Sequence, residues 1–204
     1  IIDNCLFSEN DYGVYAKGGY GGEEPQSNIL NTIIRNSSFL NNSQGTYLGT
    51  NQRYWENLKI YNNLIKGNYT GINFAGSTFG SGIVSVNIYN NIFIDNNTSL
   101  QVNNLYYYGT SNMGGGSEPS NTFPVHIEKN KFIIQNLSST TGTIILLNNG
   151  HLGSVVTTKI SNNIIYVPAV LNNTERYFDA IKIQNQNSKK TYIENNTIIN
   201  PGRS

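Results

Sequence analysis

The chain has 204 residues, of which only 12% are charged, and its formal net charge is +1. This balance excludes a surface that tracks nucleic-acid phosphates, because such a surface needs clustered Lys and Arg. Cys5 is the only cysteine, which excludes an intrachain disulfide and a cysteine-based zinc site. No apolar stretch is long enough to span a membrane. We therefore predict no membrane insertion, no metal site and no cofactor.

A short phrase, Ile-x-Asn-Asn-x-Ile/Phe-x-x-Asn, recurs along the chain. It is clearest in Ile60-Tyr61-Asn62-Asn63-Leu64-Ile65, and it returns in weaker forms. The copies begin at residues 2, 34, 60, 88, 127, 160 and 193. Repetition at intervals of roughly 20–50 residues indicates a solenoid, a propeller or a similar array.

Each copy predicts two short strands joined by a tight bend at the Asn pair. Asn suits this bend because its short amide tolerates a left-handed backbone and bonds locally. Strands stacked in a solenoid lie about 4.8 Å apart, so amides at equivalent bends can pair along the stack. The chain has 35 Asn residues, and their fixed register in the repeats predicts an Asn ladder.

A second kind of apolar-alternating run precedes each copy after the first and adds a third strand to the turn. These runs lie at 13–16, 45–48, 71–74, 99–102, 143–146 and 180–183. No stretch has the apolar stripe of an amphipathic helix. The shortest repeat steps exclude propeller blades of about 40 residues, and the Leu-x-x-Leu-x-Leu frame of leucine-rich repeats is absent.

With these Asn bends and strand runs, the sequence resembles the right-handed parallel β-helix family, the pectate-lyase-like superfamily. That family includes polysaccharide lyases, some glycoside hydrolases, epimerases, phage tailspikes and surface adhesins. The resemblance implies an all-β, single-stranded right-handed parallel β-helix of about seven rungs with an Asn-rich turn ladder. We expect residues 1–204 to form one such domain. Because the chain starts at Ile1 inside the first repeat, we expect it to be a piece of a longer protein.

The long, variable links all fall at one place in the repeat. They cover residues 17–28, 49–56, 75–85, 103–124, 148–155 and 184–190, whereas the links at 66–69 and 95–98 are short. Loops at one rung position stack on one side of a solenoid and usually mark its binding face. We therefore expect a groove beside the first strand of each turn, which is also the substrate face in the resembled family.

Period-two alternation predicts which side chains line that groove. If Ile72 and Phe74 point inward, then an outward row contains Tyr15, Tyr47, Asn73, Gln101 and Lys182. The loops add the aromatic residues Trp55, Tyr106 and Tyr108, whose flat faces and polar edges suit sugar rings. This set predicts binding of a long, uncharged or lightly anionic polysaccharide, although an ordinary solvated strand face would look similar.

The sequence leaves catalysis open. Hydrolysis of a glycosidic bond normally needs two carboxyl groups about 5 to 9 Å apart, and Glu23 and Glu56 on neighbouring loops are the candidate pair. A metal-free lyase could instead use Tyr107 and His151 as acid and base. No cluster of acidic ligands suggests the calcium site of pectate lyases. Each of these groups could equally be an ordinary loop residue.

Three functional classes remain after this reading. The leading expectation is an extracellular carbohydrate-recognising domain at a cell or virion surface, with endo-acting cleavage if it is an enzyme. The alternative is a non-catalytic adhesin or fibre shaft that acts as a stiff spacer. An epimerase acting on a polymer would share the groove. By analogy with phage tailspikes, the resemblance also allows a homotrimer.

Overall fold

A computed structural model describes residues 1–17, 29–50, 54–76, 82–83, 85–103, 125–135, 141–148, 157–167, 177–184 and 191–199. These residues contain 23 β-strands and no helix. In chain order the strands are β1 (Ile2–Asp3), β2 (Leu6–Ser8), β3 (Tyr12–Lys17), β4 (Ile29–Leu30), β5 (Ile33–Arg35), β6 (Ser38–Leu40), β7 (Gln44–Thr50), β8 (Tyr54–Glu56), β9 (Leu58–Tyr61), β10 (Leu64–Lys66), β11 (Thr70–Gly76), β12 (Gly82–Ile83), β13 (Val86–Tyr89), β14 (Ile92–Ile94), β15 (Thr98–Asn103), β16 (Val125–Glu128), β17 (Lys131–Ile133), β18 (Thr141–Asn148), β19 (Thr158–Ser161), β20 (Ile164–Tyr166), β21 (Tyr177–Gln184), β22 (Thr191–Glu194) and β23 (Thr197–Ile199).

The strands form four sheets, and every pairing within them is parallel. Sheet A contains β1, β5, β9, β13, β16, β19 and β22, and sheet B contains β2, β6, β10, β14, β17, β20 and β23. Sheet C contains β3, β7, β11, β15, β18 and β21, and sheet D contains β4, β8 and β12. One turn passes through sheets A, B and C before the chain returns to sheet A. The all-β parallel β-helix predicted from the sequence is confirmed.

The register of sheet A reproduces the sequence repeat. The first residues of the seven copies pair directly with one another from rung to rung, in the order Ile2, Ile34, Ile60, Ile88, Ile127, Ile160 and Ile193. Ile34, Ile60 and Ile88 are completely buried. A shift of one residue would turn this column to solvent, so burial of the Ile column fixes the register.

The bend between sheets A and B has the predicted left-handed residue. The first member of each Asn pair has a positive φ, for example 56° at Asn62 and at Asn90, and Lys129 adopts the same angle in the fifth rung. The second member points inward and forms a buried ladder. Asn63 donates its side-chain N–H to Oδ1 of Asn91 at 2.9 Å and to the carbonyl of Ile34 at 3.0 Å.

A second Asn ladder stands at the bend between sheets B and C. It runs through Asn10, Asn42, Asn68 and Asn96, and each of the first three donates its backbone N–H to the side-chain oxygen of the next at 2.9 or 3.0 Å. The residue before each of these Asn residues again has a positive φ, as at Asp95. The repeat phrase ends on Asn68 and Asn96, but the sequence analysis did not predict this ladder.

Large apolar side chains fill the interior between the sheets. In sheet B the inward position is Phe39, Ile65, Phe93 and Phe132 in successive rungs, and all four are buried. The rings of Phe93 and Phe132 stack with their centroids 4.6 Å apart. Aromatic stacking between rungs therefore reinforces the burial of apolar surface that stabilises a solenoid.

Two expectations about the links need correction. Residues 49–56 are not all loop, because β7 extends to Thr50 and β8 spans Tyr54–Glu56, so three turns have a fourth short strand. The links from sheet B to sheet C are short in the first four rungs, but they span residues 134–140 and 167–176 in the next two. Long connections therefore occur at two positions of the turn.

Candidate functional site

Sheet C brings the predicted outward row together. Tyr15, Tyr47, Asn73, Gln101, Leu146 and Lys182 are direct partners in successive rungs. We call these six residues the sheet C row. Leu146 was not predicted in the row, although alternation along its strand places it there. The alignment is as predicted, and the binding role of the row stays a prediction.

Inward neighbours fix the outward direction of the sheet C row. Ile72 and Phe74, on either side of Asn73, are buried in the core, as are Leu100 and Val102 on either side of Gln101. Because side chains alternate along a strand, the residue between two core positions faces out. Stacking one row residue per rung gives a linear array along the solenoid axis.

A tyrosine cluster forms the first part of the sheet C face. The rings of Tyr15 and Tyr47 stack with centroids 5.1 Å apart and planes 9° apart. Tyr12 meets both rings edge-on, at 5.0 and 5.9 Å. Burial is the main cause that raises the pKa of Tyr47, and the neighbouring Tyr15 and Tyr12 phenols raise it further. The Tyr47 phenol is therefore neutral near pH 7. Phenol hydroxyls can both donate and accept hydrogen bonds.

An amide network continues the face beyond the tyrosines. Asn73 donates from Nδ2 to Oε1 of Gln44 at 3.0 Å, and Asn103 donates to Oδ1 of Asn73 at 3.4 Å. Asn73 is only 9% exposed. Its amide is therefore mainly engaged in hydrogen bonds with Gln44 and Asn103 and is little exposed to solvent.

Two amide oxygens beside the row are buried without a hydrogen-bond donor. Asn103 and Asn148 are partners in adjacent rungs of sheet C. Oδ1 of each is shielded from solvent and accepts no hydrogen bond within the described part of the chain. A buried acceptor without a donor costs about 1–3 kcal/mol.

The far end of the row carries a compensated charge. Lys182 forms an ion pair with Asp179 at 3.2 Å, three residues earlier on β21. Both side chains are partly exposed, so the pair contributes little stability. This ion pair leaves the Lys182 end of the sheet C row without a net charge.

Trp55 does not belong to a surface platform. It lies on β8 in sheet D, is 1% exposed and packs in the hydrophobic core. The expectation that its ring is open to a sugar is wrong, because sheet D extends the core in these turns. The repeat pattern gave no sign of this fourth strand.

The predicted catalytic groups are not brought together by the described residues. Glu56 is the last residue of β8, where its backbone pairs with Leu30. The other catalytic candidates, Glu23, Tyr107 and His151, lie outside the described residues, and so do the predicted binding residues Tyr106 and Tyr108. The Glu23–Glu56 and Tyr107–His151 pairs therefore stay predictions.

The outer face of sheet A carries charged and aromatic groups that the sequence analysis did not single out. Arg35 donates from Nε and Nη2 to Oδ2 of Asp3, at 2.9 and 2.7 Å, and from Nη1 to the Tyr61 hydroxyl at 3.1 Å. Tyr61 stacks on Tyr89 with centroids 4.8 Å apart. The hydrogen bond from Arg35 lowers the pKa of Asp3, and burial raises the pKa of Tyr89. Residues 26 and 32 apart in sequence make these contacts, so only the repeat register could have suggested them.

The described parts of the chain hold no group of three or more His, Cys, Asp or Glu side chains placed to bind a metal ion. They also hold no helix long and apolar enough to cross a membrane.

Comparison with known proteins gives no match. No protein-family model, no curated protein and no solved structure matches this chain. Any functional assignment therefore rests on the residues of the chain itself.

Proposed function

We propose that this domain is an extracellular carbohydrate-recognising β-helix of the pectate-lyase-like type, which binds a polysaccharide along the outer face of sheet C. The observation that carries the proposal is the uncharged array of Tyr15, Tyr47, Asn73 and Gln101 in consecutive rungs. It extends over three strand spacings, or roughly 14 Å. A regular array along one axis suits a linear polymer.

The chemistry of the array fits neutral sugars. Phenol hydroxyls and amides both donate and accept hydrogen bonds, as sugar hydroxyls do. Tyr15 and Tyr12 remain partly exposed at the start of the face. Their rings supply apolar surface for the C–H groups of a sugar, while their hydroxyls stay available at the edge.

The unpaired oxygens of Asn103 and Asn148 support the same proposal. Each lacks a donor within the described residues. A sugar hydroxyl is a donor of the right type, and so is a bound water. Both oxygens are shielded from solvent, so a sugar would reach them only if neighbouring side chains moved, and pairing would then remove the cost of leaving buried acceptors unsatisfied.

The alternative function is a non-catalytic spacer in an adhesin or a fibre. One specific observation favours it: the amide of Asn73 is already bonded to Gln44 and Asn103, so part of the face satisfies itself. Two internal Asn ladders would also stiffen a shaft. Cleavage by Glu23 and Glu56, or by Tyr107 and His151, is a further proposal that needs a direct test.

The test is a binding screen of the purified chain against immobilised bacterial and plant polysaccharides, with assays for new reducing ends and for unsaturated products. For a bound polysaccharide, Tyr47→Ala should weaken binding at least about tenfold, equivalent to about 1.4 kcal/mol. Tyr89→Ala is the matched control, because Tyr89 is stacked in the same way on sheet A.

Equal loss of binding in both variants would contradict recognition on sheet C. Binding of no polysaccharide in the panel would favour the spacer. Release of reducing ends or unsaturated sugars would identify an enzyme and direct attention to the two candidate pairs.

A further inference from the structure

The outer face of sheet B is unusually apolar for a solvent-facing strand surface. Its first outward row is Leu6, Ser38, Leu64, Ile92, Lys131, Ile164 and Thr197, and its second is Ser8, Leu40, Lys66, Ile94, Ile133, Tyr166 and Ile199. Nine of these fourteen side chains are apolar. We call this surface the sheet B face.

Apolar residues of this face are open in the inner rungs, although Leu40, Leu64, Ile94 and Ile133 are half-buried. Ile92 is 39% exposed, Ile164 is 40% exposed and Tyr166 is 37% exposed, and none of them lies on a terminal rung. Together, the nine apolar side chains of both rows present on the order of 500 Å² of apolar surface, the upper end of what monomeric proteins leave in one patch. The outer faces of sheets A and C carry charged, amide and phenol groups instead.

We infer that the sheet B face is a self-association surface, on which a second copy of this chain packs face to face. Two such faces would remove about 1,000 Å² of apolar surface from water, which is the lower limit for a biological protein interface. Sheets pack at about 10 Å from each other, a distance that aliphatic side chains fill.

The positions of the two lysines allow the sheet B face to pack against the same face of a second copy. Each copy contributes Lys66 and Lys131, which are exposed. If the two-fold axis runs parallel to the strands, the third rung of one copy packs against the fifth rung of the other. Lys131 then lies over Leu64 of the second copy, and Lys66 lies over Ile133 of the second copy.

A two-fold axis along the solenoid gives the same result. Equal rungs then meet, with the first outward row of one copy against the second row of the other. Lys66 lies over Leu64 of the second copy, and Lys131 lies over Ile133 of the second copy. In neither arrangement do two lysines meet, and their methylene stems can cover aliphatic surface while the ammonium groups reach solvent.

A face-to-face contact is isologous, so it closes with two copies. The inference therefore differs from the three-fold assembly that the tailspike resemblance allows. It is also independent of polysaccharide binding, because the sheet C row lies on another face of the solenoid.

The experiment measures the molecular mass of the purified chain by light scattering and sedimentation equilibrium, up to about 100 µM, where micromolar association is populated. We expect twice the chain mass of 22.6 kDa. The variant Ile92→Lys/Ile164→Lys should raise the dissociation constant more than about tenfold. Leu146→Lys, which also replaces an outward aliphatic residue by lysine but on sheet C, should leave it unchanged.

Circular dichroism and melting temperature establish that the variants are folded. If the lysine variant does not fold, Ile92→Thr/Ile164→Thr replaces it, because Thr197 already occupies the same row. A wild-type mass of one chain at every concentration would overturn the inference, as would a trimer. So would a dimer that survives the sheet B substitutions or is lost in Leu146→Lys.

Discussion

Asn63 donates both its backbone N–H and its side-chain N–H to a single atom, Oδ1 of Asn91, at 3.0 and 2.9 Å. Asn91 repeats this contact with Asn130, and Asn130 repeats it with Asn163. Each amide oxygen thus accepts from the preceding rung, while the amide nitrogen donates to the following rung and to a carbonyl of the preceding rung, as Asn91 does to Asn130 and Ile60. Burial of the chain of amides makes each contact costly to break.

Removal of one ladder amide should destabilise the solenoid strongly. Asn91→Ala leaves two buried N–H groups of Asn63 without an acceptor and the carbonyl of Ile60 without a donor. We expect a loss of about 2–4 kcal/mol in the free energy of unfolding, measured with urea. Asn87→Ala, on the outer face of the same rung, should change it by less than about 0.5 kcal/mol. Equal effects would contradict a stabilising role for the ladder.

The left-handed bends predict a stabilising substitution. Lys129 has a φ of 56° at a position where the neighbouring rungs have Asn90 and Asn162. Because Asn adopts this conformation more readily than Lys, Lys129→Asn should stabilise the protein by roughly 0.5–1 kcal/mol. The reverse change, Asn90→Lys, should destabilise it by a similar amount. Thermal melts of both variants check the pair, and a destabilising Lys129→Asn would refute the argument.

Glycine is required where adjacent rungs approach most closely. A Cβ at Gly71 would lie 2.5 Å from the carbonyl oxygen of Ser99 and 2.9 Å from Cγ2 of Ile65. Gly71→Ala should therefore cost about 2 kcal/mol, because the obstacle is backbone and cannot move freely. At Gly49 the nearest atom is Cε1 of the Tyr47 ring, at 2.9 Å.

Gly49→Ala should consequently be less costly than Gly71→Ala, since the ring of Tyr47 can tilt. Urea unfolding of both variants measures the difference. Near-ultraviolet circular dichroism should report the tyrosine displacement in Gly49→Ala alone. The interpretation fails if the two substitutions have the same cost.

Acid should weaken the contact between the first two rungs. The hydrogen bond from Arg35, followed by that from Asn36, lowers the pKa of Asp3 below its ordinary value of 3.8. A carboxylate with a lowered folded-state pKa stabilises the fold above the unfolded-state pKa, and this contribution is lost as pH falls through the folded-state pKa. Asp3→Asn should therefore melt earlier than the wild type near neutral pH, and the difference should vanish below the folded-state pKa. A constant difference across that range would exclude the linkage.

The sequence contained the signals for much of the repeat but not for all of it. The Ile column and the Asn bends were readable because burial alternates with period two and Asn tolerates a left-handed backbone. The apolar sheet B face was also visible in the sequence. Ile92, Phe93 and Ile94 are three consecutive apolar residues, although a strand with one buried face needs only Phe93 to be apolar. The sequence contained no comparable signal for the burial of Trp55, because this burial depends on a fourth strand that only some turns possess.

By itself, the sequence determined the solenoid, its rung register and the row of outward residues on sheet C, since each of these follows from a local pattern repeated along the chain. Only the tertiary structure decided that Trp55 enters the core and that Arg35 joins Asp3 to Tyr61. These contacts join residues whole rungs apart or arise where the repeat is irregular. They depend on which residues the stacking of rungs brings together, and a local sequence pattern does not contain that information.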